Sequence, residues 1–339
     1  MYRFFSLMEQ FAPDTLETIQ VRYQIMRQVI HRQPLGRRQL AKDLGLTERT
    51  VRSEINLLKE RGIINITPAG IYVTPVGGKL LRDIDEIIPF LYQTQTLAEK
   101  IKQLFNIPEV IVVPGDSNTD PLTKKDLGRV AARYLRKVLY PSCTLAVTGG
   151  TTLAEMAEAM ESGIHLTDVL VVPARGGLGE EMELQAGTIA AKIAKAIGAQ
   201  YRLLHIPDNL EKSTVEILKK DPHIGRIVKD IKAANILVHG IGSALEMANR
   251  RRFSAAEINF LLQNNAVGEA LRYYFDVRGK IVFEVQGIGL ELDDLNNISL
   301  IIAVAGGSNK AKAIKAVISK LQESVLITDE GAAMEIIKD

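Results

Sequence analysis

The chain has 339 residues, about twice the length of a typical domain, which predicts two domains. Its 46% hydrophobic and 24% charged residues are ordinary for a globular protein, and no apolar run approaches the ~20 residues that a membrane span requires. The single cysteine cannot form an internal disulfide, and residues 1–11 lack the small-residue cleavage site of a secretory signal. These features favour a cytoplasmic protein with no membrane partner.

Positive charge is concentrated near the N-terminus. Residues 21–62 contain ten Lys and Arg against four Asp and Glu, a net charge of +6, which leaves −4 for the rest of a chain whose net charge is +2. This uneven distribution indicates that the N-terminal segment alone meets a polyanion such as a nucleic acid.

The N-terminal segment has the pattern of a winged helix-turn-helix. A helical pattern over 13–32 is followed by two short helices, at 37–44 and 48–61, which a glycine-containing turn separates. Thr47 can cap the second of these helices, and two apolar runs about a turn at 67–70 predict a β-hairpin, the wing. The alternative is a helical bundle with a solvated basic face.

The outward face of the second short helix carries side chains that hydrogen-bond base edges and phosphates. We place this helix in the major groove of DNA and the arginines of the first near the phosphate backbone. The predicted DNA-binding residues are Arg37, Arg38, Thr47, Arg49, Thr50, Arg52, Ser53 and Asn56.

Beyond a helical pattern over 76–105, interrupted at Pro89, strands and helices alternate, which predicts a parallel sheet covered by helices. The predicted strands are 109–113, 143–147, 168–173, 201–205, 235–239, 281–285, 298–304 and 325–328. The predicted helices are 122–138, 152–161, 180–197, 210–219, 223–233, 254–262 and 308–321. The fold class is α/β, with a winged helix-turn-helix domain over 1–88 and a Rossmann-like parallel-sheet domain over 89–339.

Residues 148–152, Thr-Gly-Gly-Thr-Thr, lie between a predicted strand and a predicted helix. Free backbone N–H groups and the positive end of the helix dipole meet at such a point and favour an anion, above all a phosphate. The glycines allow close approach of the backbone, and the threonines add hydroxyl donors. The alternative is a tight turn between strand and helix that binds nothing.

Three further stretches follow strands, where ligands gather in α/β sheets: 173–177, 239–242 and 305–310. Arg175 could clamp a phosphate or a carboxylate, unless it is an ordinary surface arginine. Residues 305–310 repeat the Gly-Gly-hydroxyl pattern and add a lysine. Two such loops and an arginine favour a doubly anionic small ligand over a nucleotide, because the Gly-rich dinucleotide and Walker motifs are absent. The run 250–252 is either a solvated charge run or a second clamp.

Together these motifs resemble those of the SorC/DeoR-type sugar-responsive repressors. The shared motifs are 148–152, 173–177, 305–310 and 328–333, and stretches at 36–40, 44–49 and 57–60 extend the resemblance over essentially the whole chain. It implies a C-terminal effector-binding and oligomerisation domain with the fold of sugar-phosphate isomerases and glucosamine-phosphate deaminases. It further implies fructose 1,6-bisphosphate as the inducer, the operator DNA of a glycolytic operon as the target, and a homo-oligomer, a dimer or a dimer of dimers.

The resemblance also implies a set of effector-binding residues, of which the cationic and backbone groups bind phosphates while Gln185 and Glu269 hold sugar hydroxyls. Carried over by position, the set is Gly149, Gly150, Thr151, Thr152, Arg175, Gln185, Arg250, Arg251, Glu269 and Lys310. No cofactor is implied. The five histidines lack metal-ligand spacing, and no Gly-x-Ser-x-Gly nucleophile motif is present, so the sequence predicts neither a metal site nor a catalytic residue.

The chain departs from the related enzymes after Gly242. The deaminases place an acid and a Gly-His pair beyond the Gly-Ile-Gly turn, whereas Ser243, Ala244 and Leu245 follow here. Without a proton carrier at these positions, we expect a retained pocket and lost chemistry. Two alternatives stay open: an active isomerase or deaminase with an accessory DNA-binding domain, and an activator whose ligand strengthens DNA binding.

Overall fold

The computed structural model of the chain describes residues 2–160, 165–177, 181–321 and 323–338. These residues fold into two compact units, a head (Met1–Gln95) and a body (Thr96–Asp339). The division lies a few residues after the predicted boundary at 88/89, because Phe90, Leu91 and Tyr92 pack into the hydrophobic core of the head.

The head is a winged helix-turn-helix. Its elements are α1 (Tyr2–Phe11), α2 (Pro13–Arg32), α3 (Arg37–Leu44), α4 (Glu48–Glu60), β1 (Ile64–Thr67), β2 (Gly70–Val73), α5 (Pro75–Ile84) and α6 (Ile88–Leu91). The two strands pair as an antiparallel hairpin. Helix α1 was not predicted. The helix predicted over 76–105 is three helices, α5, α6 and α7 (Thr94–Phe105), and Pro89 lies in the first turn of α6, where its missing N–H removes no helical bond.

Helix α4 has its position because it buries one face. Val51, Ile55 and Leu58, at spacings of four and three residues, are buried in the core of the head. Each contributes ~1.5–3 kcal/mol by leaving water. Gly45 ends α3 in the left-handed conformation, with φ of 64°, and Thr47 caps α4, so the predicted turn is confirmed.

The body contains a parallel sheet of seven strands. The strands are β3 (Glu109–Val113), β4 (Thr144–Val147), β5 (Leu170–Pro173), β6 (Gln200–Tyr201), β7 (Ile236–Gly240), β12 (Leu300–Val304) and β13 (Val325–Asp329). Their order is β3-β13-β12-β7-β4-β5-β6, and all neighbours run parallel. Leu145, Ala146 and Val147 of β4 are buried on both faces, as expected for a sheet covered by helices on both sides.

The helices of the body that follow α7 lie between its strands or after the last of them. They are α8 (Pro121–Val138), α9 (Thr151–Glu158), α10 (Ala186–Ile197), α11 (Lys212–Lys219), α12 (Pro222–Lys232), α13 (Ala244–Arg250), α14 (Ala255–Gln263), α15 (Ala311–Ile318) and α16 (Glu330–Lys338). Helices α13 and α16 were not predicted. The predicted helix at 180–197 begins only at Ala186, and residue 180 lies outside the described residues. Of the predicted strand at 201–205, only Tyr201 lies in a strand, β6.

A second sheet of four antiparallel strands was missed. Its order is β11 (Ile281–Glu284), β10 (Tyr273–Asp276), β9 (Ala266–Ala270) and β8 (Gly242–Ser243). The predicted strand at 281–285 therefore exists but belongs to this sheet and not to the parallel one. The turn between β9 and β10 consists of Leu271 and Arg272, both with positive φ, instead of the Asn and Gly that mark such turns in sequences.

Candidate effector pocket and nucleic-acid face

The strand order of the body places a pocket at the carboxyl end of the parallel sheet. From β4 the chain moves outward to β5 and β6, and it returns to β7 on the other side of β4 before moving outward to β12. Such a reversal opens a crevice beyond the strand ends, where ligands bind in α/β sheets. The lining residues are Thr148, Gly149, Gly150, Thr151, Thr152, Leu153, Arg175, Gly240, Ile241, Gly242, Glu246, Met247, Arg250, Glu269, Leu271, Val304 and Lys310.

The N-terminus of α9 points free donors into this pocket. The backbone N–H groups of Thr151, Thr152 and Leu153 have no acceptor among the described residues. Gly149 is required, because a Cβ there would lie 2.4 Å from the carbonyl oxygen of Leu184, and Gly150 has a φ of 121°. Three orphan donors at a helix N-terminus are a suitable site for a phosphate.

The second Gly-Gly loop differs from the prediction. The N–H of Gly307 donates to Asp329 Oδ1 at 3.0 Å, and that of Ser308 to Asp116 Oδ1 at 3.0 Å. The Ser308 hydroxyl also donates to Asp116, at 2.6 Å. These carboxylates take the donors that a phosphate would need, so the backbone of this loop is not a second phosphate cradle, and only the side chain of Lys310 serves the pocket.

Two cations flank the free helix end. Among the described residues Lys310 has no hydrogen-bond or ion-pair partner, and its burial lowers the pKa of its ammonium group below the ordinary 10.5, although Glu246 opposes the shift. Arg250 donates to Glu246 Oε1 at 2.7 Å. An anion bound at α9 would therefore meet a desolvated ammonium group and a nearby guanidinium group.

The opposite wall of the pocket holds Arg175 and Glu269. Burial alone would raise the pKa of Glu269, but the charges of Arg251 and Arg175 outweigh it and hold this pKa below its ordinary value. Glu269 Oε1 accepts from Arg251 Nη2 at 2.8 Å and from the N–H of Arg272 at 2.9 Å. Glu269 is therefore an ionised acceptor with a fixed orientation, suited to hold a sugar hydroxyl.

Two members of the predicted effector set lie elsewhere. The side chain of Arg251 does not line the pocket; it is buried behind Glu269 and donates to Tyr274 Oη at 3.1 Å. Gln185 precedes α10 and lines a neighbouring cavity, which shares Arg175 with the pocket. The other eight residues of the set line the pocket together.

Sequence reasoning missed three polar residues at or behind the pocket. Glu246 lines it, only four positions after Gly242, so a carboxylate is present although none stands at 243–245. Asp208 accepts from Arg175 Nη1 at 2.8 Å, and Arg272 donates to three backbone carbonyls, those of Val285, Gly287 and Leu290. Glu246 had a signal, its spacing of four from Arg250, whereas Asp208 and Arg272 act through residues far away in sequence.

Three residues of the third glycine stretch, 240–242, line the pocket, and His239 does not. Gly240 and Gly242 line the pocket, while the ring of His239 is fully buried and its Nε2 lies 3.0 Å from Glu323 Oε1. Among the residues that the structure describes, no group of three or more His, Cys, Asp and Glu side chains is placed to hold a metal ion. None of the helices in the described ranges has the length and apolar composition of a membrane span.

In the head, all eight predicted DNA-binding residues are exposed. The hydroxyl of Thr47 accepts from the N–H of Thr50 at 3.1 Å and caps α4, and it lies 2.9 Å from the Thr50 hydroxyl. Arg38 lies within 3.6 Å of Glu48, an exposed pair that contributes little to stability. The exposed face of α4 is thus polar and basic, opposite to its buried apolar face.

Comparisons with known proteins agree with both units. The family model of the CggR N-terminal DNA-binding domain matches residues 18–88, and the model of a sugar-binding domain matches residues 91–338. The chain is 45% identical to the central glycolytic genes regulator of Priestia megaterium (strain DSM 319 / IMG 1521), over 97% of both chains. It is 38% identical to the regulator of the same name from Bacillus subtilis (strain 168), over 98% of this chain and 97% of the other. The chain belongs to the SorC-type central glycolytic genes regulators.

Solved structures match most of the chain. A SorC-family transcriptional regulator from Enterococcus faecalis is 42% identical, with a TM-score of 0.67 over 71% of this chain and 99% of that one. The full-length sorbitol operon regulator SorC from Klebsiella pneumoniae has a TM-score of 0.68 over 93% of this chain and 97% of that one; at 19% identity it shows the fold alone. The predicted family and fold class are confirmed, and these relatives are transcriptional regulators.

Proposed function

We propose that the protein represses a glycolytic operon by binding operator DNA through its head, and that a phosphosugar bound in the body weakens this binding. The observation that carries the proposal is the pocket, in which free helix donors and two cations face a hydrogen-bonding wall. It occurs in a chain whose other unit is a winged helix-turn-helix, in a family named for regulating central glycolytic genes.

We propose fructose 1,6-bisphosphate as the effector. The N–H groups of α9, with Lys310 and Arg250 beside them, suit one phosphate, and Glu269 and Arg175 suit hydroxyls or a second anionic group. Arg251 acts on the ligand through Glu269, which it orients. Gln185 would contact the ligand only where the ligand extends toward the cavity that shares Arg175.

For the DNA complex, we propose that α4 enters the major groove. Arg49, Arg52 and Asn56 face outward on this helix and can reach base edges, while Arg37 and Arg38 lie at the start of α3, where phosphates pass in such complexes. Operators of helix-turn-helix proteins carry two half-sites, so we further propose that the protein binds as a dimer or a dimer of dimers.

The test combines ligand binding and turnover. Melting temperatures are measured with fructose 1,6-bisphosphate, fructose 6-phosphate and unphosphorylated fructose at fixed salt, and the phosphosugar samples are then assayed for products. We expect a rise in melting temperature with the bisphosphate, none with fructose, and no turnover. Stabilisation by the monophosphate alone would change the effector, and turnover would make the protein an enzyme.

A further inference from the structure

The wall of the pocket that holds Arg175 and Glu269, the inner wall, contains a cation that is already paired with a carboxylate. Arg175 lines the pocket but is only 5% exposed, and its Nη1 donates to Oδ2 of Asp208 at 2.8 Å. Asp208 itself does not line the pocket and is 8% exposed. Any anion that approaches Arg175 from the pocket must therefore compete with a charge that the protein supplies.

A second pair of charges adjoins the first. Arg251 Nη2 lies 2.8 Å from Glu269 Oε1 and 3.6 Å from Asp208 Oδ2. Two guanidinium groups and two carboxylates thus share one buried cluster, whose formal charges cancel. Arg272 lies behind the cluster, outside the pocket lining, with its guanidinium bonded to backbone carbonyls.

The other end of the pocket, the outer end with Lys310 and the N-terminus of α9, differs from the inner wall in net charge. Lys310 and Arg250 share this part of the pocket lining with one carboxylate, Glu246, and the positive end of α9 adds to them. The outer end therefore carries net positive charge, whereas the charges of Arg175 and Arg251 at the inner wall are offset by Asp208 and Glu269.

Asp208 is a costly residue to keep at this position. Its Oδ1 is buried and has no hydrogen-bond partner in the part of the chain that the structure describes. A Cβ at residue 287 would lie 2.7 Å from this oxygen, so the neighbouring glycine is needed to accommodate it. An unsatisfied buried carboxylate oxygen costs stability, while Oδ2 of the same carboxylate pairs with Arg175 and Arg251 at the wall of the pocket.

We propose that Asp208 is a specificity-determining positioning residue, a counter-ion that holds Arg175 and keeps the inner wall from becoming a second strong anion site. The inner wall then recognises hydroxyl and carbonyl oxygens, and a second phosphate adds less affinity than the first. This inference rests on the proposed function, because it assumes that the pocket binds a phosphosugar.

The test is Asp208→Asn, which removes the charge but keeps the shape and one acceptor for Arg175. Dissociation constants for fructose 1,6-bisphosphate, fructose 6-phosphate and inorganic phosphate are measured by calorimetry with the full chain in phosphate-free buffer at constant ionic strength. The ratio of the monophosphate constant to the bisphosphate constant should rise at least ~10-fold, the size expected for one uncompensated charge nearby. Inorganic phosphate should also bind more tightly.

Matched variants separate charge from structure. Asp208→Glu keeps the charge and should leave the ratio near that of the wild type, as should Asp230→Asn, which removes the partner of Arg202 in an exposed pair. If Asp208→Asn does not fold, Asp208→Ser removes the same charge and carries the same prediction.

An unchanged ratio, with both phosphosugars bound more weakly, would show that Asp208 is structural and overturn the inference. If the wild type binds neither phosphosugar, the proposed function fails instead, and the inorganic phosphate measurement still decides whether Asp208 suppresses anion binding.

Discussion

At the scale of single residues, burial and neighbouring charges decide what each side chain of the pocket can do. Lys310 is a desolvated ammonium group without a hydrogen-bond or ion-pair partner among the described residues, so an arriving phosphate displaces no direct partner from it. Glu269 is held ionised by Arg251, so it accepts hydrogen bonds and does not donate protons at neutral pH. These states suit binding rather than proton transfer.

Lys310→Met should weaken fructose 1,6-bisphosphate binding by roughly 10- to 100-fold, because a charged hydrogen bond of ~1.5–3 kcal/mol is lost. Calorimetry on the full chain measures the change. Lys312→Met is the matched control, since Lys312 is exposed on α15 and does not line the pocket. Equal weakening by the two substitutions would show that Lys310 acts only through the general field of the protein.

The buried pair of His239 and Glu323 should make stability depend on pH. Burial alone would lower the pKa of His239, but the charge and hydrogen bonds of Glu323 outweigh it and raise this pKa above 6.5. A raised folded-state pKa stabilises the fold fully below 6.5, and this stabilisation is lost as the pH rises through the folded value.

Calorimetric melting of the full chain from pH 6 to pH 9 tests this pair. The wild type should lose stability over that range, whereas Glu323→Gln should lose less, because the imidazolium has no partner in it. Parallel melting curves for the two proteins across the range would show that His239 is neutral in the folded state.

At the scale of elements, two loops with the same sequence pattern have different roles. Residues 148–152 and 305–310 both place Gly-Gly and a hydroxyl between strand and helix, yet only the first leaves its N–H groups free. The difference comes from two carboxylates. Asp116 lies far from 305–310 in sequence, and Asp329 lies at the end of another strand, β13. No local pattern could predict it.

The distance in sequence between contacting residues explains which parts of the fold could be predicted. Gly45, Thr47 and the apolar spacing on α4 act within a few residues, and the helix-turn-helix was predicted correctly. The β9–β10 turn, formed by Leu271 and Arg272, contains no residue typical of turns. Buried contacts of Arg272 hold its positive φ instead, so the antiparallel sheet was missed. Eight of the ten predicted effector residues line one pocket, whereas the position of Arg251 behind Glu269 depends on tertiary packing.

Gly149→Ala should disrupt the phosphate loop. Its Cβ would lie 2.4 Å from the carbonyl oxygen of Leu184, so the loop must shift, at a cost of ~1–3 kcal/mol of stability and an expected loss of about tenfold or more in bisphosphate affinity. Gly225→Ala is the control, because a Cβ in α12 meets nothing closer than 3.9 Å. Retained affinity in Gly149→Ala would place the phosphate elsewhere.

Arg52→Ala should weaken operator binding by ~1–3 kcal/mol if Arg52 contacts a base, and should reduce the preference for operator over random DNA. Both affinities are measured at one salt concentration, since phosphate contacts make them salt-dependent. Lys79→Ala, an exposed substitution on α5, is the control. If the variant binds operator and random DNA as tightly as the wild type does, the placement of α4 in the major groove is wrong.

At the scale of the whole molecule, regulation requires effector binding by the body and operator binding by the head to be energetically coupled. If effector binding lowers operator affinity by a coupling of ~1–3 kcal/mol, operator binding must lower effector affinity by the same factor. A protein in which both units bind their ligands independently would have both sites and no regulation.

Coupling between the two units is tested by an operator titration of the wild type, at fixed salt, with and without saturating fructose 1,6-bisphosphate, repeated with Lys310→Met. We expect the bisphosphate to weaken operator binding of the wild type by roughly 5- to 150-fold. The Lys310→Met variant should need far more bisphosphate for the same effect. Tighter operator binding with the bisphosphate would make the protein an activator, and unchanged binding at saturation would contradict the account.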